Sequence, residues 1–127
     1  MIRFLLICPG GAIGSGARYL LVLWSASAFG TAFPVGTLLV NMIGSLLLGF
    51  VMHVGTATEL LSANARLALT TGVLGGFTTF STFNYETTDF FRGGAWLYGS
   101  LNVIATVSAC LVAGLFGLGL GRLVVGR

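Results

Sequence analysis

The 127-residue chain has no lysine, one histidine, two cysteines, two prolines and three acidic residues, and only 7% of its residues are charged. Each scarcity excludes a chemistry. The lone histidine, His53, cannot build an HExxH zinc site, and no lysine follows the glycine pairs in the way a phosphate-cradling loop requires. Glu59, Glu86 and Asp89 supply no carboxylate pair at catalytic spacing and no base beside a nucleophile, so the chain is not expected to be an enzyme. Cys8 and Cys110 form no CxxC or Cys/His spacing and are expected to act as small buried apolar residues. The cations, all arginine, are too scattered for a nucleic-acid footprint. The net charge of +3 instead describes membrane topology and contact with lipid headgroups.

In place of charge there is apolar sequence. Hydrophobic residues make up 56% of the chain, more than a soluble core of this size needs, which places residues 1–127 in a single integral membrane domain. A transmembrane helix takes about 20 residues, so the length accommodates about four spans, and the expected fold is an all-α membrane protein. The first span is expected from Met1 to Trp24, with Pro9-Gly10-Gly11 breaking the run and Gly10 and Gly14 admitting a close neighbour. Ala26-Ser27-Ala28 has the form of a signal-peptide cleavage site. Arg18 interrupts the apolar stretch such a peptide needs, so the segment is expected to be retained.

Ser25 to Phe33 reads as a loop, and Pro34 opens a second span from about Val35 to Val54, near whose end His53 reads as a boundary residue. Gly55 to Ala65 reads as a polar loop, Arg66 to Phe91 as the third span, and Trp96 to Leu123 as the fourth. With the N-terminus inside, Arg3, Arg66, Arg122 and Arg127 collect on the inner face, and Arg18 and Arg92 lie toward the other. Arg18 leaves two readings open. It either snorkels to the headgroups beside Tyr19 and Trp24 or provides a fixed positive charge at the mouth of an anion route.

Two polar tracks run through this apolar sequence. Thr37, Asn41 and Ser45 recur at i, i+4 and i+8 on the second span, and Asn102, Thr106 and Cys110 do so on the fourth. An asparagine is expensive to place against lipid, so each track is expected to face a protein interior or a pathway. Between them lies the stretch from Gly72 to Glu86, in which Gly75 and Gly76 weaken a helix by roughly 1 kcal/mol each relative to alanine. We expect the third helix to break at Gly75-Gly76, in surroundings that shield the freed backbone from lipid. Phe80 and Phe83 follow at i and i+3 among hydroxyls. Their positive ring edges can line an anion's route without trapping it, although core packing accounts for the same spacing.

The segment containing GGFTTFSTFNYE resembles the signature of the CrcB/Fluc family of small fluoride channels. Gly10-Gly11-Ala12-Ile13-Gly14 followed by Arg18-Tyr19, and Gly36-Thr37-Leu38-Leu39-Val40-Asn41 followed by Gly44, resemble the family as well. The resemblance implies an antiparallel homodimer of dual topology in the plasma membrane, the inner membrane of a bacterium, with two anion pores. It implies a structural sodium ion at the centre of the dimer, held by the backbone carbonyls of Gly75 and Thr78. Phe80 and Phe83 would form aromatic boxes, Asn41, Ser81 and Thr82 would contact fluoride, and Arg18 and Glu86 would sit toward the pore ends. Asn102 and Thr106 join the expected pathway through their helical spacing. The implied function is passive export of fluoride to relieve its toxicity. A small cation-coupled exporter of the multidrug-resistance type and a non-transporting membrane scaffold are the alternatives. The exporter needs a carboxylate early in the chain, and the first two spans carry none.

Overall fold

The structure is a computed structural model that describes residues 1–126; Arg127, expected on the inner face, lies outside the described residues. All regular structure among the described residues is helical. In chain order it comprises α1 (Ile2–Phe29), α2 (Val35–Ala57), α3 (Ala63–Leu67), a π-helical segment (Ala68–Leu74), α4 (Gly75–Phe77), α5 (Phe80–Arg92) and α6 (Trp96–Val125). Helices α1, α2 and α6 are long and apolar enough to cross a membrane.

Several element boundaries differ from the sequence expectation. Helix α1 passes through Pro9-Gly10-Gly11 unbroken and continues to Phe29, and α2 continues to Ala57, so the loops are shorter than expected. Proline removes one N–H from the helical ladder, but in an apolar surrounding the remaining peptide groups have no partner better than one another. The third helix does not break at Gly75-Gly76, whose residues are helical in α4; the break falls at Thr78 and Thr79, both extended. Two glycine penalties are too small to open a helix that keeps its hydrogen bonds; at the pair itself the Ser15 hydroxyl reaches only the Gly76 carbonyl, at 3.4 Å, whereas one side chain meets both the N–H and the carbonyl of Thr79 a turn later.

Helix α2 packs most extensively on α6, and α1 packs on the π-helical segment. Both contacts depend on glycine. A Cβ at Gly10 would lie 3.0 Å from the Ala68 carbonyl oxygen and 3.1 Å from the Gly72 Cα, and one at Gly117 of α6 would collide with the Leu46 carbonyl of α2. The Gly10 and Gly14 pair thus serves contact within the chain. The π segment itself begins where the Thr70 hydroxyl donates to the Arg66 carbonyl at 2.9 Å, a bond that competes with the regular ladder.

The usual distribution of polarity is inverted. Ser25, Thr37, Thr79, Thr87, Asn102 and Thr106 are buried, while large apolar side chains from α1, α2 and α6 cover the outside. Such a surface is stable only against lipid or another protein copy. Cys8 is exposed and Cys110 half-buried, so the expectation that both cysteines are buried fails for Cys8 and holds only partly for Cys110. His53 stands within α2 with its ring against Gly121 of α6, and its Nε2 has no hydrogen-bond partner among the described residues.

Candidate functional site

The break between α4 and α5 is held open by Asn41. Its Oδ1 accepts from the Thr79 N–H at 2.8 Å and its Nδ2 donates to the Thr79 carbonyl at 3.0 Å, so one side-chain amide imitates a strand partner for a single residue. Thr79 in turn caps α5: its Oγ1 accepts from the Thr82 N–H at 3.3 Å and donates to the Thr82 hydroxyl at 2.9 Å, with the Ser81 hydroxyl 3.4 Å away. This is the ordinary chemistry of a threonine N-cap.

These bonds have a consequence for the backbone on the other side of the break. In an unbroken helix the Thr79 N–H would bond the Gly75 carbonyl and the Thr82 N–H would bond the Thr78 carbonyl. Here the first goes to Asn41 and the second to the Thr79 side chain. The Gly75 and Thr78 carbonyls are thereby deprived of their helical donors at one place, which is a donor set suited to a hard cation that prefers oxygen.

A groove of about 350 Å³ opens beside the break. Asn41, Ser45, Gly75, Thr78, Phe80, Phe83, Thr106 and Cys110 are among the residues that line it. The two phenylalanine rings are tilted at 52° with centroids 5.6 Å apart. They differ sharply in surroundings: Phe83 is 8% exposed, whereas Phe80 is 77% exposed and projects outward from the chain. The groove carries no ionisable acid or base except the Cys110 thiol. Its Ser45, Thr70, Thr78 and Thr106 hydroxyls already donate to the Asn41, Arg66 and Leu74 carbonyls and to Asn102 Oδ1, so the second N–H of Asn41 is the side-chain donor left available, beside the backbone of Gly75 and Thr78.

The α6 track meets α5 through a buried relay. Asn102 Nδ2 donates to the Thr87 hydroxyl at 2.9 Å, which donates to the Phe83 carbonyl at 2.8 Å, and the Thr106 hydroxyl reaches Asn102 Oδ1 at 3.4 Å. Thr106 lines the groove, whereas Asn102 faces Thr87 and supports it from behind. Glu86 belongs to a second cavity of about 290 Å³, where its Oε1 accepts from the Thr37 hydroxyl at 2.7 Å and Oε2 is buried without a partner among the described residues. Arg18 is half-buried on α1 and lines neither cavity.

The structure therefore brings Asn41, Phe80, Phe83 and Thr106 to one groove, together with Gly75 and Thr78. Ser81 and Thr82 lie outside its lining and are exposed in the first turn of α5. Thr79 and Thr87 join the site through bonds to other helices and are not among the residues expected from sequence. The i, i+4 spacing of Phe83 and Thr87 carries a signal for the second, because a helical threonine commonly bonds back to the preceding turn. Nothing local identifies Thr79, whose role is set by Asn41 from another helix.

Residues 5–118 match the family model described as CrcB-like protein, Camphor Resistance (CrcB). A protein of Sorangium cellulosum named fluoride-specific ion channel FluC is 48% identical over 122 residues, 96% of this chain and 96% of that protein. One of Anaeromyxobacter sp. with the same name is 50% identical over 113 residues, 89% of this chain and 90% of its own length. A third, from Chloroflexus aurantiacus and again so named, is 43% identical over 96% of this chain and 97% of its own length. With a family match across nearly all of the chain and relatives matched end to end, this multi-pass membrane protein belongs to the CrcB family.

Proposed function

We propose that this chain is a passive, fluoride-selective channel that exports the ion and relieves its toxicity, acting in the inner membrane of a bacterium. The observation that carries this reading is the groove at the α4–α5 break, which combines hydroxyls, an amide N–H and two phenylalanine rings without a fixed charge. The relatives bear the name of a fluoride-specific channel, which is not an enzyme's name. Neither alternative has comparable support. The exporter lacks a carboxylate on α1 and α2, and a scaffold has no need of a polar groove beside a helix break.

In this reading Asn41, Thr106 and the edges of Phe80 and Phe83 line the pathway, Ser81 and Thr82 flank it in the first turn of α5, Asn102 holds Thr106 in place from behind, and Arg18 and Glu86 lie toward its ends. Fluoride is small and strongly hydrated, so a narrow route with closely placed donors replaces its water shell, and a larger anion fits poorly. Liposomes containing the purified protein should release fluoride far faster than chloride. Equal rates for the two ions would remove the selective channel.

The chain acts as an antiparallel homodimer of dual topology, in which the broken helical run completes a fourth crossing. Two features support assembly. Phe80 projects outward where a groove needs a wall, and two carbonyls from one chain leave a cation undercoordinated until a second copy adds its own pair. The Gly75 and Thr78 carbonyls would hold the structural sodium ion, whose charge offsets their dipoles where helical donors are missing. Cross-linking in membranes should give a dimer whose termini label from both sides, and replacing sodium by a large organic cation should lower its melting temperature. Termini that label from one side only exclude the antiparallel arrangement, and an unchanged melting temperature excludes the structural ion.

A further inference from the structure

The molecule sorts its charge into cavities at opposite ends. The cavity containing Glu86 and Asp89 also takes in Ser25 of α1 and has no cation in its lining. A different cavity, of about 310 Å³, is lined by Arg3, Met52, Ala63, Arg66, Leu67 and Thr70, two arginines and no acidic residue. At ~1.5 Å per residue the stretch of α1 from Arg3 to Ser25 rises roughly 33 Å, close to the thickness of a bilayer's hydrocarbon core. The basic cavity therefore lies at the level of one headgroup layer.

Its two arginines have different roles. The Arg66 stem packs on Gly55 and its Nη1 donates to the Gly55 carbonyl at 2.8 Å, which fixes the guanidinium and leaves its other N–H groups for a ligand. Arg3 is exposed and sits in the first turn of α1, where positive charge is disfavoured by the helix dipole and no acidic residue is present to offset it. Two like charges line one cavity with no counter-charge in its lining, an arrangement that favours an anion. Guanidinium forks match the paired oxygens of phosphate better than any halide, and Met52, Ala63 and Leu67 give the cavity an apolar wall.

We propose that this cavity is a binding site for a phosphate oxyanion, with Arg66 as its fixed arm and Arg3 as its outer arm. The apolar wall and the depth in the bilayer fit the headgroup of an anionic phospholipid. Free inorganic phosphate offers the same oxygens, and the experiment separates the two sources. The site is independent of anion conduction and would stand if the channel reading failed.

The test uses the full-length protein in detergent, titrated with phosphatidylglycerol, phosphatidylcholine or inorganic phosphate, and read by native mass spectrometry and thermal melting. The wild type should retain phosphatidylglycerol in preference to phosphatidylcholine. Arg3→Gln, which leaves the Arg66 to Gly55 bond in place, should weaken that retention about fivefold, the typical contribution of one basic residue at an anionic surface. Arg66→Lys keeps the charge, loses the fork and should weaken retention as well. Retained phosphatidylglycerol that inorganic phosphate does not displace identifies the lipid as the source. Stabilisation by inorganic phosphate that Arg3→Gln abolishes, without lipid retention, identifies the free ion. Equal retention of the two lipids together with no stabilisation by inorganic phosphate, or binding of both probes unchanged by Arg3→Gln and Arg66→Lys, overturns the proposal.

Discussion

Phe80→Ile is expected to reduce fluoride flux per folded protein about a hundredfold while leaving the yield of folded protein near that of the wild type. If the ring edge replaces part of fluoride's hydration, its loss adds about 2.8 kcal/mol to the barrier, and each 1.4 kcal/mol is a factor of ten in rate. The structure makes this position the cleaner of the two phenylalanines to test. Phe80 is 77% exposed in the single chain, so isoleucine there disturbs little packing within it, whereas Phe83 is 8% exposed and its replacement also costs up to a few kcal/mol of stability. Phe83→Ile should therefore lower both flux and folded yield. Phe→Met at either site should be milder, because the thioether is soft and polarizable. Flux is measured from liposomes and normalised to the folded protein recovered by size exclusion. Normal flux per folded protein in both isoleucine variants would make the rings packing residues and nothing more.

Asn41→Ala is expected to be strongly damaging to the fold around the site. It leaves both the N–H and the carbonyl of Thr79 without partners, and Thr79 is itself buried. An unsatisfied buried polar group costs about 1 to 3 kcal/mol, so the pair costs roughly 2 to 6 kcal/mol against a total stability of about 5 to 15 kcal/mol. The recovered protein should melt well below the wild type, and the Thr79 cap on α5 should loosen. Asn41→Asp separates the two bonds, because the carboxylate still accepts from the Thr79 N–H but offers no donor to the Thr79 carbonyl. It also sets an oxygen against the Thr79 carbonyl and a charge in an apolar surrounding, so it should melt no higher than the alanine variant. An Asn41→Ala protein that melts within a degree of the wild type would mean that the clamp contributes nothing to stability.

The membrane class, the all-helical fold and the family were legible in the sequence, for reasons that are local, whereas only three of the four expected spans are single long apolar helices and the third is divided among shorter ones. A chain with 7% charge and 56% hydrophobic residues has no soluble alternative, and GGFTTFSTFNYE is specific enough to identify a family by itself. The polar tracks could be read as well. Side chains at i and i+4 share a helical face wherever the helix goes, and Asn41 and Thr106 do meet at one groove. The position of the break was not local information. Glycine lowers the cost of leaving a helix at Gly75 and Gly76, but in an apolar surrounding a peptide group leaves only if another partner is waiting, and Asn41 on α2 offers one at Thr79 alone. For the same reason Pro9 failed to break α1, and Asn102 turned toward Thr87 while Thr106 reached the groove. Composition and periodicity settled which residues had to be kept from lipid; which backbone groups were released, and which side chains met them, was decided by hydrogen bonds between helices that no single stretch of sequence contains.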